Sequence, residues 1–154
     1  TVVVGHSYGG PVALRVAAMY PERVAGLVLV ASASDPAMDD TLTLRGLVDN
    51  MAAVVPASWS AANRELLDLT RERALLEPML AGITCPVVVL HGTWDPVCPH
   101  DGETGYLGLA LGNAESVTIT SVPRAGHNIH RSHPELVAEA AAGLVAGGEE
   151  AGSG

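Results

Sequence analysis

The chain has 154 residues, of which 48% are hydrophobic, enough to bury the core of one domain. Acidic residues outnumber basic ones by 17 to 8, with no lysine, so the formal net charge is −9. This negative charge disfavours a nucleic-acid partner or an anionic membrane surface, and no apolar run reaches the roughly 18 to 20 residues that span a bilayer.

The predicted elements alternate between strands and helices along the chain. Apolar or β-branched runs predict strands at residues 1–4, 24–30, 86–90 and 117–122. Helical spacing predicts helices at residues 11–20, 101–111 and 134–145, and a mostly helical segment at 36–84. The continuous run VAGLVLV at 24–30 is typical of strands covered on both faces. We therefore predict an α/β fold with a mostly parallel sheet of about four strands and helices on both faces.

One domain is expected over residues 1–146, with residues 36–84 inserted as a small helical cap and residues 147–154 (GGEEAGSG) as a disordered tail. Cys85 and Cys98 bracket the third predicted strand. Their Cα atoms should therefore lie beyond the roughly 7 Å reach of a disulfide, which predicts free thiols. Because the amino terminus lacks the basic region and cleavage site of a signal peptide, the expected location is cytoplasmic.

The sequence GHSYGG, at residues 5–10, lies between the first predicted strand and the first predicted helix. A G-x-S-x-G pattern in that context predicts a sharp turn with Ser7 in strained backbone geometry, and Gly5 and Gly9 are expected to leave room for it. The hydroxyl would lie at the start of a helix, where backbone N–H groups favour a developing negative charge. The pattern predicts a nucleophilic serine, with a glycine-rich turn of no chemical consequence as the alternative.

Two further stretches place reactive side chains just after predicted strands. The third strand runs into HGTWDPVCP, which contains Asp95, and the fourth runs into AGHNIHRSHPE, which contains His127. Chemistry in open α/β sheets collects at the carboxyl ends of the strands. A serine nucleophile needs a base, and the base needs an acid to orient it, so these residues predict a Ser-His-Asp triad.

At these three places the sequence resembles the α/β-hydrolase family, in which nucleophile, acid and base follow in the order Ser7, Asp95, His127. The resemblance implies an esterase-like serine hydrolase that acts on small carboxylic esters and needs neither cofactor nor metal. In that reading Ser7 attacks the ester, His127 is the base and Asp95 the acid. The backbone N–H of Tyr8, which follows the nucleophile, supplies one oxyanion contact.

Several neighbouring residues carry further expectations. His6, Trp94 and Asn128 lie beside the expected triad in sequence, and we predict that they line the substrate pocket. An alternative acid is Asp35 in ASASDP, because some members of the family keep the acid after that strand. The H-x-x-H-x-x-H run at residues 127–133 allows a metal site as an alternative, which the fit of the histidine loop to the family disfavours.

The resemblance also implies that the family's strands before the nucleophile strand are missing from the chain, together with the loop that supplies a second oxyanion donor. The strand from Thr1 to Val4 would then lie at an exposed sheet edge, which invites pairing with another strand. We predict a homodimer through this edge. The alternative to an active serine hydrolase is a catalytically silent or weak half-domain that self-associates through this exposed first strand.

Overall fold

Four parallel strands form one sheet in the computed structural model, which describes residues 1–37 and 69–151. The strands are β1 (Val2–His6), β2 (Gly26–Val30), β3 (Val87–Gly92) and β4 (Val117–Val122). They are hydrogen-bonded in the order β1-β2-β3-β4, and every pair is parallel. The predicted α/β fold with a parallel sheet of about four strands is confirmed.

Helices cover both faces of this sheet. They are α1 (Gly9–Met19), α2 (Leu69–Leu76), a 3₁₀ helix (Glu77–Gly82), α3 (His100–Ala110), α4 (Ile129–Ser132) and α5 (Pro134–Ala151). Alternate residues of β2 serve the two faces, since Leu27 and Leu29 join the core with α1 and α3, whereas Val28 and Val30 join the core with α4 and α5. Burial on both faces explains why this strand reads as an uninterrupted apolar run.

Two helices extend beyond their predicted bounds. The first begins at Gly9 rather than at residue 11. The last continues to Ala151, so the prediction of a disordered tail from residue 147 was wrong for residues 147–151. Alanine and glutamate are strong helix formers, and they carry the helix past Gly147 and Gly148.

Only part of the predicted cap falls within the described residues. Leu69–Leu76 and Glu77–Gly82 are helical, as the sequence predicted for the end of that segment, whereas residues 38–68 lie outside the description. Neither cysteine forms a disulfide in the described part of the chain, and both are buried. None of the described helices is long and apolar enough to cross a bilayer.

The carboxyl ends of β1, β3 and β4 lie along the same side of the sheet because all strands are parallel. The turns that follow these strands carry Ser7, Asp95 and His127, so the topology places all three on the same side of the sheet. Within the described sheet β1 is an edge strand, and its Val4 side chain is 47% exposed.

Candidate active site

Ser7 lies in a tight turn between β1 and α1. Its φ angle is 54°, in the left-handed region that costs energy for a residue other than glycine. The surrounding backbone holds this conformation, since the Ser7 N–H donates to the carbonyl of Val30 at 3.0 Å. The Ser7 carbonyl accepts from the N–H groups of Gly10 and Ala33, at 2.9 and 3.2 Å. The turn is therefore tied to α1 and to the loop after β2.

The close packing around this turn requires glycine at Gly5 and Gly10, whereas the sequence analysis expected it at Gly5 and Gly9. A Cβ on Gly5 would lie 2.5 Å from the carbonyl oxygen of Gly9, so strand and helix approach as closely as predicted. A Cβ on Gly9 would meet nothing within 4 Å, which corrects the expectation that Gly9 also provides room. The crowded helical position is Gly10, whose Cβ would lie 1.9 Å from Ser32 Oγ.

His127 lies between Ser7 and Asp95 and hydrogen-bonds to both. Its Nε2 is 2.8 Å from Ser7 Oγ, and its Nδ1 is 2.9 Å from Asp95 Oδ2. An ionised Asp95 can only accept, so Nδ1 carries the proton and Nε2 is left to accept from the Ser7 hydroxyl. This arrangement has the geometry of a nucleophile, a base and an orienting acid.

Asp95 is held as a carboxylate by three N–H donors. Burial raises its pKa, but hydrogen bonds from the His127 side chain and from the backbone N–H groups of Cys98 and Val97 outweigh burial and lower the pKa overall. The Cys98 and Val97 bonds to Oδ1 measure 2.9 and 2.8 Å. The alternative acid, Asp35, lies elsewhere: its Oδ1 accepts from the N–H of Ala37 at 2.8 Å.

The turn after β3 that carries Asp95, here called the acid turn, and the loop after β4 that carries His127, here called the histidine loop, are packed directly against each other. His91 is fully buried and donates from Nε2 to the carbonyl of Cys98 at 2.9 Å. Burial lowers the pKa of His91, which keeps the ring neutral. A Cβ on Gly92 would lie 2.3 Å from the carbonyl oxygen of Ala125, and the Trp94 N–H donates to that oxygen at 3.0 Å. These contacts fix the separation of Asp95 and His127.

His6 contacts both the backbone and the ring of His127. Its Nε2 donates to the backbone carbonyl of His127 at 3.0 Å, and its ring lies 5.0 Å from the His127 ring and 4.2 Å from the His130 ring, centroid to centroid. Burial is the main cause of a lowered pKa for His6, so the ring is neutral and keeps one N–H to donate. His6 therefore positions the histidine loop, and its predicted role in substrate binding stays a prediction.

The other predicted residues lie on the exposed side of the site. Trp94 is 67% exposed, and Asn128 is also exposed, at the start of α4. Their roles in substrate binding stay predictions. Tyr8 is 39% exposed, and none of the described residues accepts a hydrogen bond from its backbone N–H. That N–H lies next to Ser7 at the start of α1, the position expected of an oxyanion donor.

One group of side chains in the described residues has the composition of a metal site. Ligand atoms of Asp95, Cys98 and His127 lie within 4.8 Å of one another. The Asp95 carboxylate already accepts hydrogen bonds from three N–H groups, one of them from His127. A metal here would have to displace the hydrogen bond between His127 and Asp95, so the hydrogen-bonded arrangement fits these residues better.

A second Ser-His-Asp row lies on the surface. His100 contacts Asp101 Oδ1 through Nδ1 and Ser121 Oγ through Nε2, each at 2.7 Å. Ser121 belongs to β4 rather than to a strand-to-helix turn, and Asp101 is fully exposed. Side-chain hydrogen bonds of this kind therefore do not identify the site without the strained turn and the helix N-terminus. Ser121 provides a matched control for Ser7.

Comparisons with known proteins agree with this fold. A model of the Alpha/beta hydrolase family matches residues 1–140. Monoglyceride lipase of Mus musculus is 24% identical in an alignment 163 residues long. The alignment covers 87% of this chain and 53% of that protein. Lipase LipV of Mycobacterium tuberculosis is 51% identical over 53 residues, which cover 34% of this chain and 19% of that protein. The chain spans about half the length of the monoglyceride lipases it matches.

Solved structures show the same similarity at the level of the fold. Monoacylglycerol lipase of Paleococcus ferrophilus superimposes with a TM-score of 0.65 and 19% identity, over 94% of this chain and 68% of that chain. A membrane phospholipase A, described as a bacterial virulence factor, gives a TM-score of 0.62 and 21% identity over 95% of this chain and 56% of that chain. At these identities the fold is what the proteins share.

Proposed function

The chain belongs to the alpha/beta hydrolase family, and we propose that it is a serine hydrolase that cleaves small carboxylic esters through an acyl-enzyme on Ser7. The observation that carries the proposal is the row of hydrogen bonds from Ser7 Oγ through His127 to Asp95. It is supported by the strained φ of Ser7, because such strain concentrates at functional sites.

In the proposed mechanism, His127 Nε2 removes the proton from the Ser7 hydroxyl as Oγ attacks the ester carbonyl. Asp95 holds the imidazole in the productive tautomer and stabilises its charged form. The tetrahedral intermediate collapses as the imidazolium returns the proton to the departing alcohol. Water, activated by the same histidine, then releases the carboxylic acid from Ser7.

The oxyanion of the intermediate would be stabilised from α1. We assign the Tyr8 N–H as one donor, because it lies next to the nucleophile, and the α1 N-terminus adds favourable electrostatics. In the family a second donor comes from a loop before the nucleophile strand. Loss of one oxyanion donor costs about 10² to 10³ in rate where tested. With the Tyr8 N–H as the single donor, we therefore expect hydrolysis that is weak rather than absent.

Esters are the proposed substrates because Ser7 attacks carbonyl carbon and several relatives are named as lipases. A panel of p-nitrophenyl esters from acetate to palmitate, extended with a monoglyceride, tests the proposal and measures the preferred acyl length. We expect hydrolysis that is lost in Ser7→Ala and retained in Ser121→Ala. The absence of hydrolysis across the panel would favour the alternative of a catalytically silent half-domain.

We also propose that the chain forms a homodimer through the edge of β1. An edge strand presents unpaired backbone N–H and C=O groups, and Val4 of this strand is about half exposed. A shallow cavity of about 300 Å³ lined by Thr1, Val3 and Val16 adjoins the same strand. Pairing of two β1 strands would cover this surface.

A further inference from the structure

The loop that follows β2, residues 31–35, is here called the β2 loop, and it contacts the turn that carries Ser7 at two points. The Ala33 N–H donates to the carbonyl of Ser7, and the Ser32 side chain packs against Gly10 in the first turn of α1. Ala31 has a φ of 43°, so the loop itself holds an unfavourable backbone conformation. A strained loop needs tertiary contacts to keep its shape, and this loop is the support on which the Ser7 turn rests.

Glu103 of α3 holds the other side of the β2 loop. Its side chain is 1% exposed. Oε1 accepts from the N–H of Ser34 at 2.8 Å, and Oε2 accepts from the N–H groups of Ser34 and Asp35, at 3.0 and 2.8 Å. The Ser32 and Ser34 hydroxyls hydrogen-bond to each other beside it. One buried carboxylate therefore ties the backbone of the β2 loop to α3.

We infer that Glu103 is a positioning residue for Ser7, acting through the β2 loop, an inference that rests on the proposed function. The connection has three steps: Glu103 fixes the N–H groups of residues 34 and 35, the loop presents the Ala33 N–H, and that N–H holds the Ser7 carbonyl. Glu103 touches no reacting atom, so its effect on the reaction is indirect.

The position of Glu103 calls for a hydrogen-bond acceptor. Burial of an ionisable group is costly, but an apolar side chain here would leave the backbone N–H groups of Ser34 and Asp35 without this acceptor. A carboxylate can satisfy two adjacent backbone N–H groups at once, which an apolar residue cannot do. Glu103 therefore maintains the backbone geometry of the β2 loop. That loop in turn contacts the Ser7 turn through Ala33 and Ser32.

The charge of Glu103 also depends on pH in the neutral range. Burial outweighs the hydrogen bonds from Asp35 and Ser34 and raises the pKa of Glu103 to about 7. The titratable and charged groups around it are Asp35 of the β2 loop and Tyr106 of α3, with Glu77 facing Tyr106. Arg73 donates from Nε to the Ala33 carbonyl in the same loop. Protonation below pH 7 removes acceptor capacity from the bonds between Glu103 and the N–H groups of Ser34 and Asp35, here called the clamp.

The test measures the second-order rate of fluorophosphonate labelling at Ser7 in the wild type, Glu103→Leu, Glu103→Gln and Glu139→Gln. Glu139 is an exposed glutamate on α5 and provides the control for loss of one negative charge. We expect labelling to fall roughly 10- to 100-fold in Glu103→Leu, because small displacements of a reacting group cost that much. Glu103→Gln keeps one carbonyl acceptor and should restore part of the rate, and Glu139→Gln should match the wild type.

The pH dependence separates positioning from simple stabilisation. The wild-type labelling rate should carry an additional inflection near pH 7 that Glu103→Gln lacks. Equal labelling rates in wild type and folded Glu103→Gln across pH 6 to 8 would overturn the inference. If Glu103→Leu does not fold, the comparison with Glu103→Gln alone tests the role of Glu103. If the wild type itself is not labelled, the proposed function fails. In that case the amide resonances of Ser34 and Ser7 still test the clamp, because both should titrate with Glu103 and become insensitive to pH in Glu103→Gln.

Discussion

Asp95→Asn perturbs the proposed triad without removing the structure around it. The asparagine Oδ1 can still accept from the N–H groups of Val97 and Cys98, so the acid turn keeps both of its backbone caps. Its Nδ2 then faces His127 Nδ1, the atom that Asp95 Oδ2 contacts at 2.9 Å in the native protein. Two donors cannot share this bond, so the imidazole proton moves to Nε2.

The expected loss of rate in Asp95→Asn follows from that change of tautomer. A protonated Nε2 points its hydrogen at Ser7 Oγ, 2.8 Å away, and cannot accept the serine proton. Loss of the base in this way lowers kcat by ~10⁴-fold in serine hydrolases of this geometry, which is about 5 kcal/mol of transition-state stabilisation. We expect a fall of that order in the rate of fluorophosphonate labelling, with little change in the free energy of unfolding.

The matched control is Asp35→Asn, the alternative acid, whose carboxylate contacts the N–H of Ala37 rather than His127. Its labelling rate should stay within a few-fold of the wild type, roughly the range expected of a change outside the reacting groups. Labelling that survives Asp95→Asn and is lost in Asp35→Asn would refute the assignment of the acid. Loss in neither variant would refute the triad itself.

Three further predictions concern packing, pH and association. Gly10→Ala should lower the free energy of unfolding by about 1 to 3 kcal/mol in urea titrations, because its Cβ would overlap Ser32, whereas Gly9→Ala meets open space and should not. The pKa of Glu103 is raised from 4.5 to about 7, so the native state holds a proton that the unfolded state releases. The unfolding free energy of the wild type, relative to Glu103→Gln, should therefore fall by about 3 kcal/mol as pH rises from 4.5 to above 7. Size-exclusion chromatography with light scattering should give twice the mass of one 15.8 kDa chain; a stable monomer would remove the proposed β1 dimer.

Much of the architecture was predictable because local pattern and tertiary structure agree. The apolar run at residues 24–30 is buried on both faces, and the turns that carry Ser7, Asp95 and His127 follow strands of one parallel sheet. In a parallel sheet these turns lie on one side, so the sequence alone predicts that the three residues share that side. Because candidate residues follow three of the predicted strands, the prediction of a triad was more specific than one based on the G-x-S-x-G pattern alone.

The supporting contacts were not predictable, because each depends on a distance between segments remote in sequence. Nothing near Glu103 in the sequence distinguishes it from an ordinary surface glutamate of a helix. It is nevertheless buried, and its partner Asp35 is 68 residues away along the chain. Gly10 is required only because Ser32 packs against it, and no local rule connects those positions. His6 likewise shows its contact with the backbone of His127 only in three dimensions.

The most direct test of a Ser7 nucleophile is intact-mass analysis after treatment with a fluorophosphonate. We expect one adduct per chain on the wild type, mapped to Ser7, retained in Ser121→Ala and lost in Ser7→Ala. Ser121 has the same kind of hydrogen bonds to a histidine but lies outside the strained turn, so it is the sharpest internal control. A folded wild-type protein that takes up no label, or one labelled at a position other than Ser7, would contradict the proposed mechanism.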